Sequence, residues 1–485
     1  MHLPFLLLSF EHFAYVYIEC YINISPINYY KVNLTGYANG ECRMKIKCSF
    51  VSHQHTKNHH HLYIPDKWMD RFPFQRHMTL KCGSSLLDVT CMGTKTDSLQ
   101  IMLYTSDSLF ASIPILENIW ISIDAGMIHM GPVAALLLNQ PTLATIHSHS
   151  LKEYFTECQE WFQRKGGFFY LLPLSSFAGN KREGIYYNGN DWETGLLPDP
   201  HVLYNRCHSR KIERSPSFQS ALGRTLDRGI QVFNSGFLSK DEVYNALKDS
   251  PVLSPHLPET VKGLHSLEEM LTLYQDVFVK GINGSKGRYI MRIQKRDDGY
   301  HMQQNSFSTE NPLTFPTYPA LYKQLKAWCN RSYLVQETIP FLTVEGQPLD
   351  FRFLCHQNRN KAWELVSSVA RIASQDQFVA NVDQGGRIEK PLSVLQTIFS
   401  PRESLAIMKG MKELCIHAST LLADSMEGHF AELGIDIGID QSGKPWLIEI
   451  NSKPSKRTYL ENDRIRPSVK ALYEYSLAIW TNKEE

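Results

Sequence analysis

Apolar and polar positions along the chain predict two kinds of folded unit. Residues 119–139 predict a strand, a glycine turn and a short helix or loop. Residues 150–166 then predict a helix that stops at a glycine, and "GFFYLLPL" predicts a buried strand. This strand–helix–strand order is typical of an α/β domain. A second unit begins near residue 236 and includes a long helical segment over roughly 402–427.

The pattern divides the chain into four predicted segments. The first contains five histidines between residues 53 and 61, which could bind metal, but a low-complexity extension is the favoured interpretation. Short alternating runs predict a small β-rich piece in the second segment. The segments are 1–62 (low-complexity or poorly packed extension), 63–112 (β-rich), 113–235 (α/β domain) and 236–482 (the larger carboxy-terminal unit).

The stretch "FAELGIDIGIDQSGKPWLIEINSKP", residues 430–454, predicts a hairpin with its turn at 441–444. In that register Asp436 lies opposite Glu449, with Cβ atoms roughly 5 Å apart, and Asn451 follows on the same face. Facing carboxylates repel, so they need a shared proton or, better, a divalent cation. Three oxygen-bearing side chains suit Mg²⁺. The alternative is a solvated polar face on an exposed sheet. The opposite, core face would carry Leu433, Ile435, Ile437, Ile439, Trp446, Ile448 and Ile450.

A glycine-rich hairpin, "VFVKGINGSKGRYIMRI" at residues 277–293, is a candidate phosphate-binding loop. Gly281, Gly284 and Gly287 permit close backbone approach to a ligand, and successive N–H groups can cradle phosphate oxygens. The spacing matches neither the Walker A nor the Rossmann pattern. A plain surface turn is an equally good interpretation of this hairpin alone.

Composition and charge limit the classes of function. The 485 residues carry 50 Lys plus Arg and 49 Asp plus Glu, so nothing indicates a nucleic-acid partner. Ten scattered cysteines favour reduced thiols in the cytoplasm over a disulfide framework. We expect no membrane span, because no run of 18 apolar residues occurs, and no signal peptide at the short apolar start.

Several motifs resemble those of ATP-grasp enzymes and occur in the same order: "VFVKGINGSKGR", "YLVQETIPF", "LDFRFL", "VARIASQDQFVANVDQGG" and "ELGIDIGIDQSGKPWLIEINSKP". The run from "VARIA" to "NVDQGG" is similar to glutathione synthetases and glutamate-adding ligases. With "LYNRCHSRKIE" and "FNSGFLSK", the chain most resembles the YheC/YheD family of endospore coat-associated ATP-grasp proteins, over roughly residues 115–480. The resemblance implies an α+β ATP-grasp fold, two subdomains enclosing ATP at 236–482, preceded by a smaller α/β domain.

The resemblance also implies roles for particular residues. Arg352 and Arg371 would face the transferred phosphate or the acyl substrate. Arg352 has a purely structural alternative, an ion pair with Asp350 or with a surface acid, and Glu337 could simply be solvated. The implied nucleotide-binding residues are Lys240 and Lys280 (phosphates), Gly284, Ser285 and Gly287 (phosphate loop), Gln336 and Glu337 (adenine and ribose) and Asn381 (beside nucleotide and metal). The implied magnesium ligands are Asp436, Glu449 and Asn451, the same three residues that the hairpin register selects.

The function implied by the resemblance is that of an ATP-dependent carboxylate–amine ligase, which forms an acylphosphate for attack by an amine. Its cofactors would be ATP and one or two Mg²⁺ ions. Its partners would be unidentified carboxylate and amine substrates, an amino acid or peptide being expected, and spore coat proteins. We expect it in the cytoplasm or at the spore coat. Two alternatives stay open: a nucleotide-binding coat component without ligase activity, and an ATP-dependent phosphotransferase on the same fold.

Overall fold

The described residues of the chain form four β-sheets, and each sheet defines one unit of the fold. The computed structural model describes residues 17–25, 28–36, 42–96, 98–124, 126–139, 141–283, 290–304, 313–328, 332–373, 386–456 and 465–482. Along the chain the units are an N-terminal sheet domain, a front domain, a central subdomain and a terminal subdomain. Of the helices in these ranges, none has the length and apolarity needed to cross a lipid bilayer.

The N-terminal sheet domain is a nine-stranded sheet that closes on itself. It closes because the long strand β3 pairs with β7 through residues 49–54 and with β8 through residues 44–50. Ile46, Cys48 and Phe50 on β3 are buried in its core, although the sequence predicted poor packing here. The elements are β1 Tyr17–Ser25, β2 Asn28–Gly36, β3 Cys42–Gln54, β4 His61–Pro65, α1 Asp66–Met69, β5 His77–Cys82, β6 Ser85–Thr94, β7 Gln100–Thr105, α2 Ser108–Ala111, β8 Leu116–Asp124 and β9 Met127–Gly131.

The front domain has a six-stranded sheet in the order β13-β12-β11-β10-β14-β15, of which β11, β10, β14 and β15 are parallel. Its strand β10 and the preceding β9 occupy residues where a short helix or loop was expected. Strands β10 and β11 are apolar along their whole length, which is typical of parallel strands that are covered on both faces. The elements are β10 Val133–Leu138, α3 Leu143–Ile146, α4 Lys152–Lys165, β11 Phe168–Pro173, α5 Leu174–Ala178, β12 Glu183–Tyr187, β13 Trp192–Leu196, β14 Val202–Asn205, α6 Arg210–Glu213, α7 Pro216–Asp227 and β15 Gln231–Phe233.

The central subdomain is an antiparallel sheet in the order β16-β21-β17-β18-β19-β20, covered by two helices. Alternating burial along β17 and β18 shows that one face packs on those helices. The elements along this part of the chain are α8 Lys240–Leu247 (which packs in the terminal subdomain), β16 Thr260–Lys262, α9 Leu267–Tyr274, β17 Asp276–Gly281, β18 Ile290–Arg296, β19 Gly299–Gln304, β20 Leu313–Phe315, α10 Tyr318–Trp328 and β21 Tyr333–Glu337, with 3₁₀ turns at Ser254–His256 and Leu264–Ser266.

The terminal subdomain packs a sheet in the order β25-β24-β23-β26-β27 against α8 and α12. Capping boxes begin both helices, Ser239 with Glu242 and Ser400 with Glu403. The last helix, α13, returns to the front domain, where Val469 and Tyr473 join its core. The elements are β22 Thr343–Val344, β23 Gln347–Gln357, β24 Trp363–Ile372, β25 Arg387–Glu389, α11 Pro391–Leu395, α12 Pro401–Ser425, β26 Glu432–Ile439, β27 Pro445–Asn451 and α13 Pro467–Asn482.

The β26–β27 hairpin places Asp436 opposite Glu449, as the sequence predicted, but by a different route. Its loop is one residue longer than the predicted turn, because Ile439 rather than Asp440 pairs with Pro445. A β-bulge after Asp436 takes up the extra residue and restores the register. On the loop side of the bulge the faces are exchanged, so Leu447 is buried in the core in place of Trp446 and Ile448.

A buried ionic cluster joins the terminal subdomain to the front domain. Both oxygens of Glu432 are bonded, one to the Tyr204 hydroxyl and the other to the Lys456 ammonium, and both charged side chains are 1% exposed. Arg206 donates to the Tyr204 oxygen at 3.0 Å and to the Pro454 carbonyl at 2.8 Å. Burial lowers the pKa of Lys456 to about 8, against the effect of Glu432, so the pair is charged at pH 7.

Replacing Glu432 with Gln is expected to lower the free energy of unfolding by about 3–5 kcal/mol, because Lys456 then keeps a buried charge without a counter-charge. Urea unfolding would measure the loss. The double variant Glu432→Gln/Lys456→Met should be less destabilised than Glu432→Gln alone. Equal losses in the single and double variants would show that the ion pair does not hold this junction.

Candidate functional site

A row of charged side chains crosses the sheet of the terminal subdomain. Asp350 on β23 lies opposite Arg371 on β24, and Arg352 on β23 lies opposite Asp436 on β26. Asp436 in turn lies opposite Glu449 on β27. Cross-strand neighbours on one face are about 5 Å apart, so strand pairing alone brings these side chains together.

Asp436 is the most heavily bonded carboxylate of the row. Arg352 binds it with two N–H groups, the second from Nη2 to Oδ2 at 2.8 Å, and Arg371 Nη2 approaches the same oxygen at 3.1 Å. Burial favours the protonated acid, but Arg352 and Arg371 outweigh it and hold the pKa of Asp436 below its ordinary value. Asp436 is therefore ionised at neutral pH.

Arg371 is fixed by a second carboxylate. It donates from Nε and Nη2 to the two oxygens of Asp350, each at 2.6 Å. Burial raises the pKa of Asp350 to about 6 in spite of Arg371, which still leaves it ionised at pH 7. The suggested pair between Arg352 and Asp350 does not form, because residues two apart on a strand are separated by about 6.6 Å, farther than cross-strand neighbours.

Glu449 is balanced by a lysine from outside the sheet. Lys240 begins α8, and its Nζ lies 2.6 Å from Glu449 Oε1. The two side chains are 17% and 29% exposed, so this end of the row is open to ligands. Lys240, Arg352 and Arg371 therefore reach the hairpin from three separate chain segments.

The donor set at the hairpin fits a divalent cation. Carboxylate and amide oxygens are the ligands that Mg²⁺ prefers, and the side chains of Glu449 and Asn451 are partly exposed. Three N–H groups already bind Asp436, which leaves about one of the roughly four acceptor positions of a carboxylate for a metal. Within the described ranges, no group of three or more His, Cys, Asp or Glu is arranged to hold a metal, and this candidate set differs because it includes an amide.

The central subdomain presents a partly buried lysine towards this hairpin. Lys280, at the end of β17, donates to the side-chain oxygen of Gln336 on β21, and Gln336 donates to Thr260 Oγ1 at 2.8 Å. Burial, and then Lys240, lower the pKa of Lys280 to about 8, while Glu449 raises it. The two subdomains meet here, since the backbone N–H of Lys240 donates at 3.3 Å to the carbonyl of the residue that follows β17.

Glu337 lies beside Gln336 where β21 ends. Its Oε1 accepts the backbone N–H of Glu259 at 2.8 Å, and its own N–H donates to the Glu259 carbonyl at 3.0 Å. Glu337 is therefore held in place by this segment and is not simply solvated. Four predicted nucleotide-binding residues lie outside the described ranges: Gly284, Ser285, Gly287 and Asn381.

Two residues of this arrangement were missed by sequence reasoning as parts of the site. Asp350 orients Arg371, and Thr260 orients Gln336. The signal for Asp350 was its position two residues before Arg352, which puts both on one face of the strand. Thr260 carries no comparable signal, because its partner is 76 residues away in the chain.

Two neighbouring α+β subdomains with antiparallel sheets, with lysine, arginine and carboxylate side chains gathered beside them, are typical of the ATP-grasp class. The chain belongs to the YheC/D-like ATP-grasp family, whose model matches residues 229–479, more than half of its 485 residues. This confirms the family and the fold class predicted from the motifs.

Named relatives agree with this membership. The endospore coat-associated protein YheD of Bacillus subtilis (strain 168) is 26% identical over 381 residues, 76% of this chain and 83% of the relative. The endospore coat-associated protein YheC of the same strain is 22% identical over 302 residues, 60% of this chain and 79% of the relative. Among solved structures, the VanG D-Ala:D-Ser ligase from Enterococcus faecalis is similar with 10% identity and a TM-score of 0.43, covering 72% of this chain and 99% of that one.

Replacing Asp350 with Asn is expected to destabilise the protein by about 3 kcal/mol, because Arg371 loses half of its buried counter-charge. The measurement is the midpoint of urea unfolding. Glu413→Gln is a matched control, since Glu413 forms an exposed pair with Lys409 at 3.8 Å. The assignment fails if the two variants unfold at the same midpoint.

Proposed function

We propose that the protein is an ATP- and magnesium-dependent carboxylate–amine ligase. The observation that carries this proposal is the arrangement of charges around the hairpin of Asp436 and Glu449. Four cationic side chains lie beside it: Lys240, Lys280, Arg352 and Arg371. Membership of an ATP-grasp family supports ATP as the nucleotide. The site has carboxylates for a metal and separate cations for phosphate oxygens, which is what phosphoryl transfer requires.

In the proposed reaction a substrate carboxylate oxygen attacks the γ-phosphorus of ATP, and ADP leaves. An amine then attacks the carbonyl carbon of the acylphosphate, and inorganic phosphate leaves. Lys240 and Lys280 would bind the nucleotide phosphates as point charges. Arg371, held by Asp350, would orient the transferred phosphate or the acyl oxygens. No protein nucleophile is needed.

The proposed metal ligands are Asp436, Glu449 and Asn451, with one or two ions. A bound Mg²⁺ would act as a Lewis acid and offset the negative charge of the phosphate oxygens. The chain's own part would be to hold the ligands in place, which Arg352 would do by its contact with Asp436 and Lys240 by its contact with Glu449. Gln336 and Glu337, the last two residues of β21, are the proposed adenine and ribose contacts. Gly284, Ser285, Gly287 and Asn381 remain proposed nucleotide contacts.

The names of the relatives suggest where such a ligase acts. Because YheD and YheC are named endospore coat-associated proteins, we propose an acceptor or donor among amino acids, peptides or coat proteins. Two other functions would be compatible with ATP binding: a coat component that binds nucleotide without turnover, and a phosphotransferase. The carboxylate-bound Arg352 and Arg371 favour catalysis, because buried charges are costly to keep in a scaffold.

Isothermal titration calorimetry with ATP, with and without Mg²⁺, tests the binding step. Release of ADP over a panel of amino acids and peptides then tests the chemistry. Ligase activity requires ADP release that depends on an amine, and an amide product of matching mass. A phosphorylated product without an amide would identify a phosphotransferase, and binding without turnover would identify a coat component.

Replacing Glu449 with Gln is expected to abolish ATP turnover and the magnesium dependence of ATP binding. The fold should survive, because the Lys240–Glu449 pair is partly exposed and such pairs contribute at most about 1 kcal/mol. Glu364→Gln, an exposed acid on β24, is the matched control. Normal turnover by Glu449→Gln would remove the metal assignment.

The affinity for ATP is expected to fall as the pH rises above about 8. Lys280 is charged below its lowered pKa of about 8, and bound phosphate would favour the charged form. Binding above pH 8 must therefore take up a proton, at a cost of up to about tenfold in affinity per pH unit. Calorimetry from pH 7 to 9.5 would measure the effect, and Lys280→Arg should bind with a flatter profile. Identical profiles would contradict the role of Lys280.

A further inference from the structure

One arginine of the front domain contacts the ATP-grasp subdomains beside the two lysines. Arg210, the first residue of α6, donates from Nη1 to the side-chain oxygen of Asn283 at 2.7 Å. It also donates from Nη2 to the Leu238 carbonyl at 3.1 Å. Its guanidinium carbon lies 4.9 Å from the centre of the Phe237 ring. One planar group therefore bridges two chain segments that are more than 40 residues apart.

These two segments are the ones that carry the lysines. Lys240 follows Leu238 by two residues, and Lys280 precedes Asn283 by three. The segments also touch through their backbones, since the Lys240 N–H donates to the Ile282 carbonyl at 3.3 Å. A guanidinium that binds Leu238 and Asn283 at once therefore limits how far the two lysines can move apart.

The position of Arg210 concentrates positive charge at this point. Burial, and then Arg214, lower the pKa of Arg210, while Glu242, Glu449 and Glu213 raise it. Two of these acids already serve other cations: Glu449 pairs with Lys240, and Glu213 pairs with the buried Lys453. The local charges are thus arranged to accept a further anion, such as a polyphosphate.

We propose that Arg210 is a positioning residue of the nucleotide site, which sets the spacing of Lys240 and Lys280 by binding Leu238 and Asn283. The front domain thereby takes part in binding the phosphates of ATP. This inference rests on the proposed function, because it presupposes that the lysines bind nucleotide. Arg210 lies within the motif "LYNRCHSRKIE", but the resemblance assigned it no role.

The test compares Arg210→Met with Arg214→Met by titration calorimetry with Mg·ATP. Arg214 lies at the end of the same short helix and is exposed, so it is a matched control. Arg210→Met should weaken binding at least about tenfold, whereas Arg214→Met should stay within about twofold. Arg210→Lys should recover only part of the affinity, because an ammonium cannot reproduce the planar two-acceptor bridge.

A double-mutant cycle separates positioning from general stabilisation of the fold. If Arg210 acts through Asn283, Asn283→Ala alone should weaken binding, and adding Arg210→Met should cost less than it does in the wild-type background. Fully additive losses would overturn the route through Asn283. Thermal unfolding of each variant checks the fold. If Arg210→Met does not fold, Arg210→Lys and Asn283→Ala decide in its place.

The outcomes distinguish this inference from the function on which it rests. A wild-type protein that does not bind Mg·ATP would refute the proposed function. A wild-type protein that binds, together with an Arg210→Met variant that binds equally well, would overturn only the role of Arg210. Weakened binding in Arg210→Met with normal binding in Arg214→Met supports it.

Discussion

Two carboxylates that face each other across a β-hairpin set the electrostatic problem that this structure solves. Asp436 and Glu449 lie directly opposite each other and repel, and three nearby cations offset this repulsion. Arg352 comes from the neighbouring strand, Arg371 from the strand beyond it and Lys240 from the start of a helix. The site is assembled only when all three segments are in place, so its charge state depends on the tertiary fold.

The segment immediately C-terminal to the hairpin anchors it to the front domain. Directly after Asn451, Lys453 and Lys456 are buried against Glu213 and Glu432 at the boundary with the front domain. Asn234 bonds the backbones of both Glu432 and Ser452, with its Nδ2 2.8 Å from the Glu432 carbonyl. Breaking any one buried pair leaves an uncompensated charge, so these contacts act together. They fix the strand β27 relative to the front domain.

The central subdomain contacts the terminal subdomain beside a partly buried lysine, whose described hydrogen-bond partner is a neutral amide. Lys280 donates to Gln336, and the carboxylate that raises its pKa is Glu449 of the terminal subdomain. A buried ammonium without a counter-ion is costly unless an anion joins it. The arrangement therefore suits a site that binds a polyphosphate. Arg210 connects the front domain to the same site.

Local patterns in the sequence were enough to predict the long helix over roughly 402–427, the glycine stop after α4 and the two strands of the hairpin, because these depend on neighbours within a few residues. They also placed Asp436 opposite Glu449, although the longer loop and the bulge that compensate each other were not visible in them. Motif order further indicated the ATP-grasp fold. Three outcomes emerged only from the folded chain: β3 closes the first sheet, α13 packs on the front domain, and Arg371, not Arg352, binds Asp350. These outcomes depend on contacts between distant segments, whose energies no local pattern records.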